Sequence, residues 1–215
     1  MKTKKLELNQ VTVELLPEKA VYLADYNALC IADWHLGKAA HFRKAGIPLP
    51  QPDLSAEFDK LGGLISRFQA EHVILLGDVF HSSLNNDWLL FESFIASYPR
   101  VRWTITMGNH DIIGKEKFLS LGIDAVDQLL QGSIICTHQP LEHVPANQLN
   151  LAGHVHPGCE IFTGARQKFR LPCFHYSESV LTLPAFGGLT GLFMLQADEN
   201  NRLFVIVGDE VLERK

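Results

Sequence analysis

The sequence predicts an α/β domain in which packed sheets carry helices on their outer faces. Three observations predict it. The first half alternates short apolar strands with amphipathic helices. The second half, from residue 132 onward, is mostly strands divided by Gly and Pro turns. No low-complexity linker or internal repeat separates the halves, so residues 1–215 are read as a single domain.

The elements follow in order. VTVELLP (11–17), KAVYLAD (19–25) and NALCIAD (27–33) are apolar or β-branched runs with turn formers between them, hence three short strands. DLSAEFDKLGGLISRFQA (53–70) repeats apolar residues at 54, 58, 61, 64, 65 and 68, a helical period behind an Asp cap. HVILLGD (72–78) reads as a buried strand, DWLLFESFIASY (87–98) as a second amphipathic helix, and RVRWTITMGNHD (100–111) as another strand. Strands then dominate: GSIICTH (132–138), LNLAGHVH (149–156), CEIFTG (159–164), KFRLPCFHYS (168–177), SVLTLPAFG (179–187) and RLFVIVGDEV (202–211).

Composition supports a packed core, with 47% hydrophobic and 20% charged residues. No run approaches the roughly 18 consecutive apolar residues of a membrane-spanning helix. The opening MKTKKLELNQ is basic but has no apolar h-region or small-residue cleavage site, so cytoplasmic residence is the expectation. The cysteines at 30, 136, 159 and 173 show no C-x-x-C spacing, and Cys30 and Cys136 sit inside apolar runs as small core hydrophobes. A net charge of −5 argues against nucleic-acid binding through broad electrostatics. Bound divalent metals would change that balance, because they are often the largest local charges in a site.

Polar residues gather where the apolar runs end. NALCIAD leads into Asp33-Trp34-His35, and HVILLGD into Gly77-Asp78 with His81 three residues on. WTITMGNHD delivers Asn109, His110 and Asp111, SIICTH delivers His138, and LNLAGHVH delivers His154 and His156. In open α/β sheets ligands bind outside the carboxyl ends of the strands, so these clusters can face one crevice. Two Asp, one Asn and four His offer hard oxygen and borderline imidazole donors, which suit Mn, Fe, Zn or Mg. Seven such ligands are too many for one ion. They fit two ions if a carboxylate bridges, and paired metals about 3.5–4 Å apart clamp both the attacking and the leaving oxygen at phosphorus. Each block alone is weak; the five together, each terminating an apolar run, are a strong joint signal.

DWH (33–35), GDVFH (77–81), GNHD (108–111), TH (137–138) and GHVH (153–156) resemble the five-block signature of the calcineurin-like metallophosphoesterases. The resemblance implies a four-layer αββα sandwich with a dinuclear metal centre at the sheet edges. It implies that Asp33, His35 and His156 hold one metal, that Asp78 bridges, and that Asn109, His138 and His154 hold the other. His110 would be a non-ligand histidine at the leaving oxygen, with Asp111 orienting its imidazole. A narrower likeness covers residues 33–191. DWHLGKAAHFRKAGIPLP, LGDVFHS, GHVHPG and LPAFGGLTG resemble the bacterial ligase-associated DNA damage response endonuclease group, PdeM. That implies Mn-dependent phosphodiester cleavage in DNA repair, with a ligase and a helicase as possible partners.

The expected mechanism is hydrolysis by a metal-bound hydroxide, since coordination lowers the pKa of water from 15.7 toward about 7. Substrate size is less determined. LGKAAHFRKAG (36–46) sets Lys38, His41 and Lys44 at i, i+3, i+6 with Arg43 adjacent, which reads equally as a phosphate contact or a solvated helical face. His81 is grouped with Lys38, Arg43 and Lys44 as candidates either to support the metal ligands or to bind substrate. Arg166, Lys168 and Arg170 alternate on one strand face and are read as edge-strand protection ahead of a DNA contact. Trp34 is read as packing rather than as a base-stacking surface. A chain of 215 residues leaves no clamping domain beyond the core, so a long DNA would be engaged through a homodimer or a partner. The competing readings are a phosphodiesterase or phosphatase of small nucleotides on the same metals, and a non-catalytic scaffold on the same fold.

Overall fold

The computed structural model describes residues 2–39, 42, 46, 54–81, 86–109, 111, 113–162 and 167–214. The first sheet is ordered β1 (Lys4–Leu8), β2 (Val11–Leu16), β3 (Ala20–Leu23), β4 (Ala28–Ile31), β5 (His72–Leu75), β6 (Arg102–Thr106) and β7 (Ile123–Val126). β1 to β4 form an antiparallel meander, and β4 to β7 run parallel. Parallel neighbours need crossover connections. The helices α1 (Leu54–Phe68), α2 (Asn86–Ala96) and α3 (Lys115–Ser120) occupy the three crossovers from β4 to β7.

The remaining strands are β8 (Leu129–Gln131), β9 (Ile134–Cys136), β10 (Leu149–Ala152), β11 (Pro157–Phe162), β12 (Lys168–Ser177), β13 (Val180–Thr182), β14 (Phe193–Leu195), β15 (Asn201–Val207) and β16 (Glu210–Arg214). They build a second sheet in the order β14-β11-β12-β13-β10-β9-β8, with β15 pairing β12 and β16. Within it β9, β10 and β13 are parallel.

Period-two alternation explains why these sheets stack. On β4 to β6, Leu29, Ile31, Val73, Leu75, Trp103 and Ile105 turn outward to meet Phe58, Leu61, Leu64 and Ile65 of α1 and Phe91 and Ile95 of α2. The intervening Ala28, Cys30, Ile74 and Leu76 turn inward against Cys136, Leu149, Leu151, Phe174 and Phe204 of the second sheet. β4 and β5 are thus buried on both faces, as their unbroken apolar sequences required. The cysteines expected in the core, Cys30 and Cys136, are fully buried there. The two packed sheets agree with the expected sandwich, and α1, α2 and α3 lie on the first sheet's outer face. The second sheet's outer face carries its own cluster of Cys159, Cys173, Leu203 and Val205. No described helix is long and apolar enough to cross a membrane.

The sequence reading passed over β1, α3, β7, β8 and β14, and took β15 and β16 as one strand. β1 hides in a lysine-rich opening because it is an edge strand, in which only Leu6 and Leu8 pack on the core. Lys168 and Arg170 lie where β12 pairs β11 alone among the described residues, since its pairings with β15 and β13 begin at Cys173 and His175; the two cations do not stand as bare edge charges. Both cations instead meet Glu160 across the β11–β12 pair, at 2.7 and 3.4 Å. Arg166 lies outside the described residues.

Candidate metal centre

The parallel strands end on the same side. β4 is followed by Asp33 and His35, β5 by Asp78, β6 by Asn109, β9 by His138, and β10 by His154 and His156. Main-chain bonds carry the sheets past the strand ends. Asp33 N donates to Gly77 O at 3.2 Å, His35 N to Asp78 O at 2.9 Å and Gly153 N to His138 O at 2.9 Å. Phe186 N donates to Ala32 O at 2.8 Å, which ties the LPAFGG segment to the first block. The candidate ligands therefore ride on rigid extensions of the strands.

The backbone there is strained. Asp33, His35, Asp78, His154 and His156 have φ of 54°, 56°, 50°, 69° and 53°. The other eight non-glycine residues with positive φ among the described residues all lie in turns. A non-glycine left-handed residue costs on the order of 1–3 kcal/mol, and such strain persists where the surroundings over-determine it. Two glycines make the close approach possible. A Cβ on Gly77, itself at φ +73°, would lie 2.6 Å from His138 Cγ; one on Gly153 would lie 2.6 Å from Asp33 Oδ2.

Two ligand groups result. Asp33, His35 and His156 form one, and Asp78, His138 and His154 the other, with the donor atoms of each within 4.8 Å of one another. In the first, His35 Nε2 and His156 Nε2 are 3.2 Å apart, and His156 Nε2 is 3.4 Å from Asp33 Oδ1. In the second, His138 Nε2 is 3.2 Å from His154 Nδ1 and 3.4 Å from Asp78 Oδ1. Donors about 2.1 Å from a common ion at roughly 90–109° are separated by about 3.0–3.4 Å, so these edges fit a coordination shell. Asp33 Oδ1 is buried with no hydrogen-bond partner among the described residues, while Asp33 Oδ2 accepts from His154 N at 2.9 Å. An orphaned buried carboxylate oxygen facing an imidazole nitrogen calls for a cation.

His138 links the groups, with Nδ1 4.0 Å from Asp33 Oδ1. That nitrogen also lies 3.0 Å from Leu76 O. A carbonyl only accepts, so Nδ1 carries the proton and the lone pair of neutral His138 sits on Nε2, facing Asp78 and His154.

The other expected residues distribute as follows. Asn109 follows β6, and its Oδ1 accepts from Gln139 Nε2 at 3.1 Å. Lys38 is half-buried; burial lowers its pKa, opposed by the negative charges of Asp78 and Asp33. The His81 ring lies 5.4 Å from the His35 ring. His110, Arg43, Lys44 and His41 lie outside the described residues. Trp34 is 2% exposed, packed among Phe58, Phe91, Phe94 and Phe186, with Nε1 donating to Glu57 Oε2 at 2.9 Å. Asp111 is buried and accepts four main-chain N–H bonds, from Asp78, Val79, Phe80 and Gly108. Burial raises its pKa to about 6 even though these bonds favour the charged form.

Gln139 and Glu57 escaped the sequence reading. Gln139 directly follows the fourth block, a positional hint; Glu57 lies on α1, with no local signal to mark it. Phe193 escaped as well. It is 61% exposed, and its N–H donates to the carbonyl of His156 at 2.9 Å, so the main chain of an exposed aromatic residue abuts that of a candidate ligand.

Comparison with known proteins places this arrangement. The family described as calcineurin-like phosphoesterase matches residues 26–177. The nuclease MPE of Pseudomonas putida is 28% identical, with 99% of this chain and 100% of that chain covered and a TM-score of 0.81. The phosphoesterase Yfce from E. coli is 14% identical over 85% of this chain and 88% of its own, with a TM-score of 0.43. A conserved protein of Streptococcus pneumoniae TIGR4, described as a predicted phosphoesterase, is 16% identical over 87% and 94%, with a TM-score of 0.37. No curated protein matches.

Proposed function

The chain belongs to the calcineurin-like phosphoesterase family, and from that premise we propose that it is a Mn-dependent endonuclease cleaving DNA phosphodiester bonds in repair. It is a metal-dependent hydrolase of phosphoesters. The observation that carries the reading is the pair of ligand groups joined through His138 and Asp33 at the strand ends. The likeness to a nuclease along the whole chain supports a nucleic-acid substrate.

Asp33, His35 and His156 would hold one ion and Asn109, His138 and His154 the other, with Asp78 as the carboxylate that would serve both. When bound, two divalent ions supply Lewis acidity to the phosphoryl oxygens and a nucleophile from water at neutral pH. The chain's own residues do the rest. Leu76 O fixes the His138 tautomer, and the strained loops hold Asp33, His35, Asp78, His154 and His156 convergent before substrate arrives. His110 gives a proton to the departing ester oxygen. Lys38, beside Asp33 and Asp78, meets a phosphate flanking the cleaved bond, with the His81 ring 5.4 Å from that of His35 and Arg43 and Lys44 further along the sequence.

A second reading, cleavage of small nucleotide diesters, is favoured by one observation. The net charge is −5, and Lys168 and Arg170 are already engaged by Glu160. Assays with Mn compare single-stranded DNA, a hairpin, cyclic nucleotides and bis-p-nitrophenyl phosphate. Cleavage of the polymers supports the endonuclease; brisk turnover of small diesters with every polymer left intact refutes it.

A further inference from the structure

We propose that Asp111 is a positioning residue for Asp78, clamping the loop after β5 to the loop after β6 so that the shared carboxylate stays aimed between the ligand groups. The clamp is fully drawn. Asp111 Oδ1 accepts from Val79 N at 2.9 Å and Phe80 N at 3.2 Å. Asp111 Oδ2 accepts from Asp78 N at 2.9 Å and Gly108 N at 2.9 Å. Two bonds to each oxygen occupy all four lone-pair sites of a carboxylate, so the main chain takes the whole of its in-plane capacity.

The loop it grips is the one that most needs holding. Gly77 and Asp78 are consecutive left-handed residues, at φ 73° and 50°, and the successive amides of Asp78, Val79 and Phe80 point at one carboxylate. Successive N–H groups of this kind form a concave anion seat, and here a side chain of the same protein fills it. The other jaw is Gly108, where an added Cβ would lie 3.0 Å from Asp78 Cγ and closer still to Asp78 Oδ1 and N. The two loops therefore touch, and Asp111 bonds both. Removing the carboxylate strands four amides and frees Asp78 to relax toward ordinary φ. The expectation from sequence was that Asp111 orients His110; in this assignment it acts on Asp78 instead.

The metal arm of the test rests on the function proposed above, and the exchange arm does not. Amide hydrogen exchange is followed by NMR in metal-free wild type and in Asp111→Asn, whose amide nitrogen would face two N–H donors. Mn affinity is then measured by calorimetry, and the pH profile of bis-p-nitrophenyl phosphate hydrolysis is recorded. The amides of Asp78, Val79, Phe80 and Gly108 are expected to be protected in wild type. In the variant they lose at least tenfold of that protection while Cys30 keeps its own. Mn affinity falls about 10–100-fold, the usual effect of losing a group that orients a ligand, and the pH profile keeps its shape. Fast exchange at these four amides in wild type overturns the clamp without any variant having to fold. So does a variant with wild-type Mn affinity that has lost one limb of its pH profile, the mark of a residue acting on His110. If wild type binds no Mn, the metal reading fails and the proposal with it; the exchange data then report only whether the loops are clamped.

Discussion

Gly77→Ala separates what the backbone demands from what the site demands. At φ +73° an alanine costs about 1–2 kcal/mol for its left-handed conformation alone. Its Cβ would also sit 2.6 Å from Cγ and 2.7 Å from Cβ of His138. The imidazole must then leave its 3.0 Å bond to Leu76 O, for about 1 kcal/mol, and take a poorer rotamer, for about 1 kcal/mol more. The sum is about 3–4 kcal/mol, roughly a 10 °C drop in Tm for a chain of this size. Gly122→Ala is the control, at φ +75° with nothing within 4 Å of the added carbon, so it bears the backbone penalty alone. Urea denaturation of both metal-free variants reads the difference, expected at about 2 kcal/mol. Calorimetric titration with Mn reads the site: Gly77→Ala should bind at least tenfold more weakly and Gly122→Ala like wild type. Equal stability losses in the two variants, or undiminished Mn binding by Gly77→Ala, would refute the idea that Gly77 exists to seat His138.

Other outcomes are expected together. Burial, with Arg102 adding to it, holds the His72 imidazole down at about 4 against an ordinary 6.5. The unfolded chain then binds the additional proton between those values, so stability present above pH 6.5 is lost as pH falls toward 4, by about 3 kcal/mol. His72→Gln, which can still bond Thr104, should flatten that slope in urea midpoints; unchanged slopes would remove His72 as its cause. Trp34→Phe should lower stability by about 1–3 kcal/mol, because Glu57 Oε2 loses its donor, and should leave the KM for DNA as it was. A raised KM at unchanged stability would make Trp34 a substrate contact after all. His110→Ala should keep both ions and lose about 10²–10⁴-fold in kcat, whereas Asp78→Ala should lose metal as well. Equal metal content and activity in the two variants would contradict both roles.

Much of this protein was legible in the residue order, and particular positions show why. Within NALCIAD and HVILLGD the stretches ALCIA and VILLG are apolar without a break, which identifies doubly buried strands, WTITM is apolar and threonine-rich, and each run breaks off in a ligand-type residue. Such signals are local: they depend on a few neighbouring side chains sharing one solvent preference. Helix α1 was legible for the same reason, through its 3.6-residue period. β1 and α3 were not, since one is a charged edge strand with two core contacts and the other buries only Phe118 among its six residues.

Residue order alone determined the chemistry on offer, carboxylates, an amide and imidazoles placed where strands give out. Tertiary structure decided who meets whom. It brought His35 and His156, 121 residues apart in the chain, to 3.2 Å. It gave Lys168 and Arg170 to Glu160, and it turned Asp111 toward the amides of residues 78–80. Partner choice of that kind depends on how strands and their end loops register through space. Hydrophobic periodicity records which face of an element is buried, and carries no record of which buried polar atoms will come within 3 Å of one another.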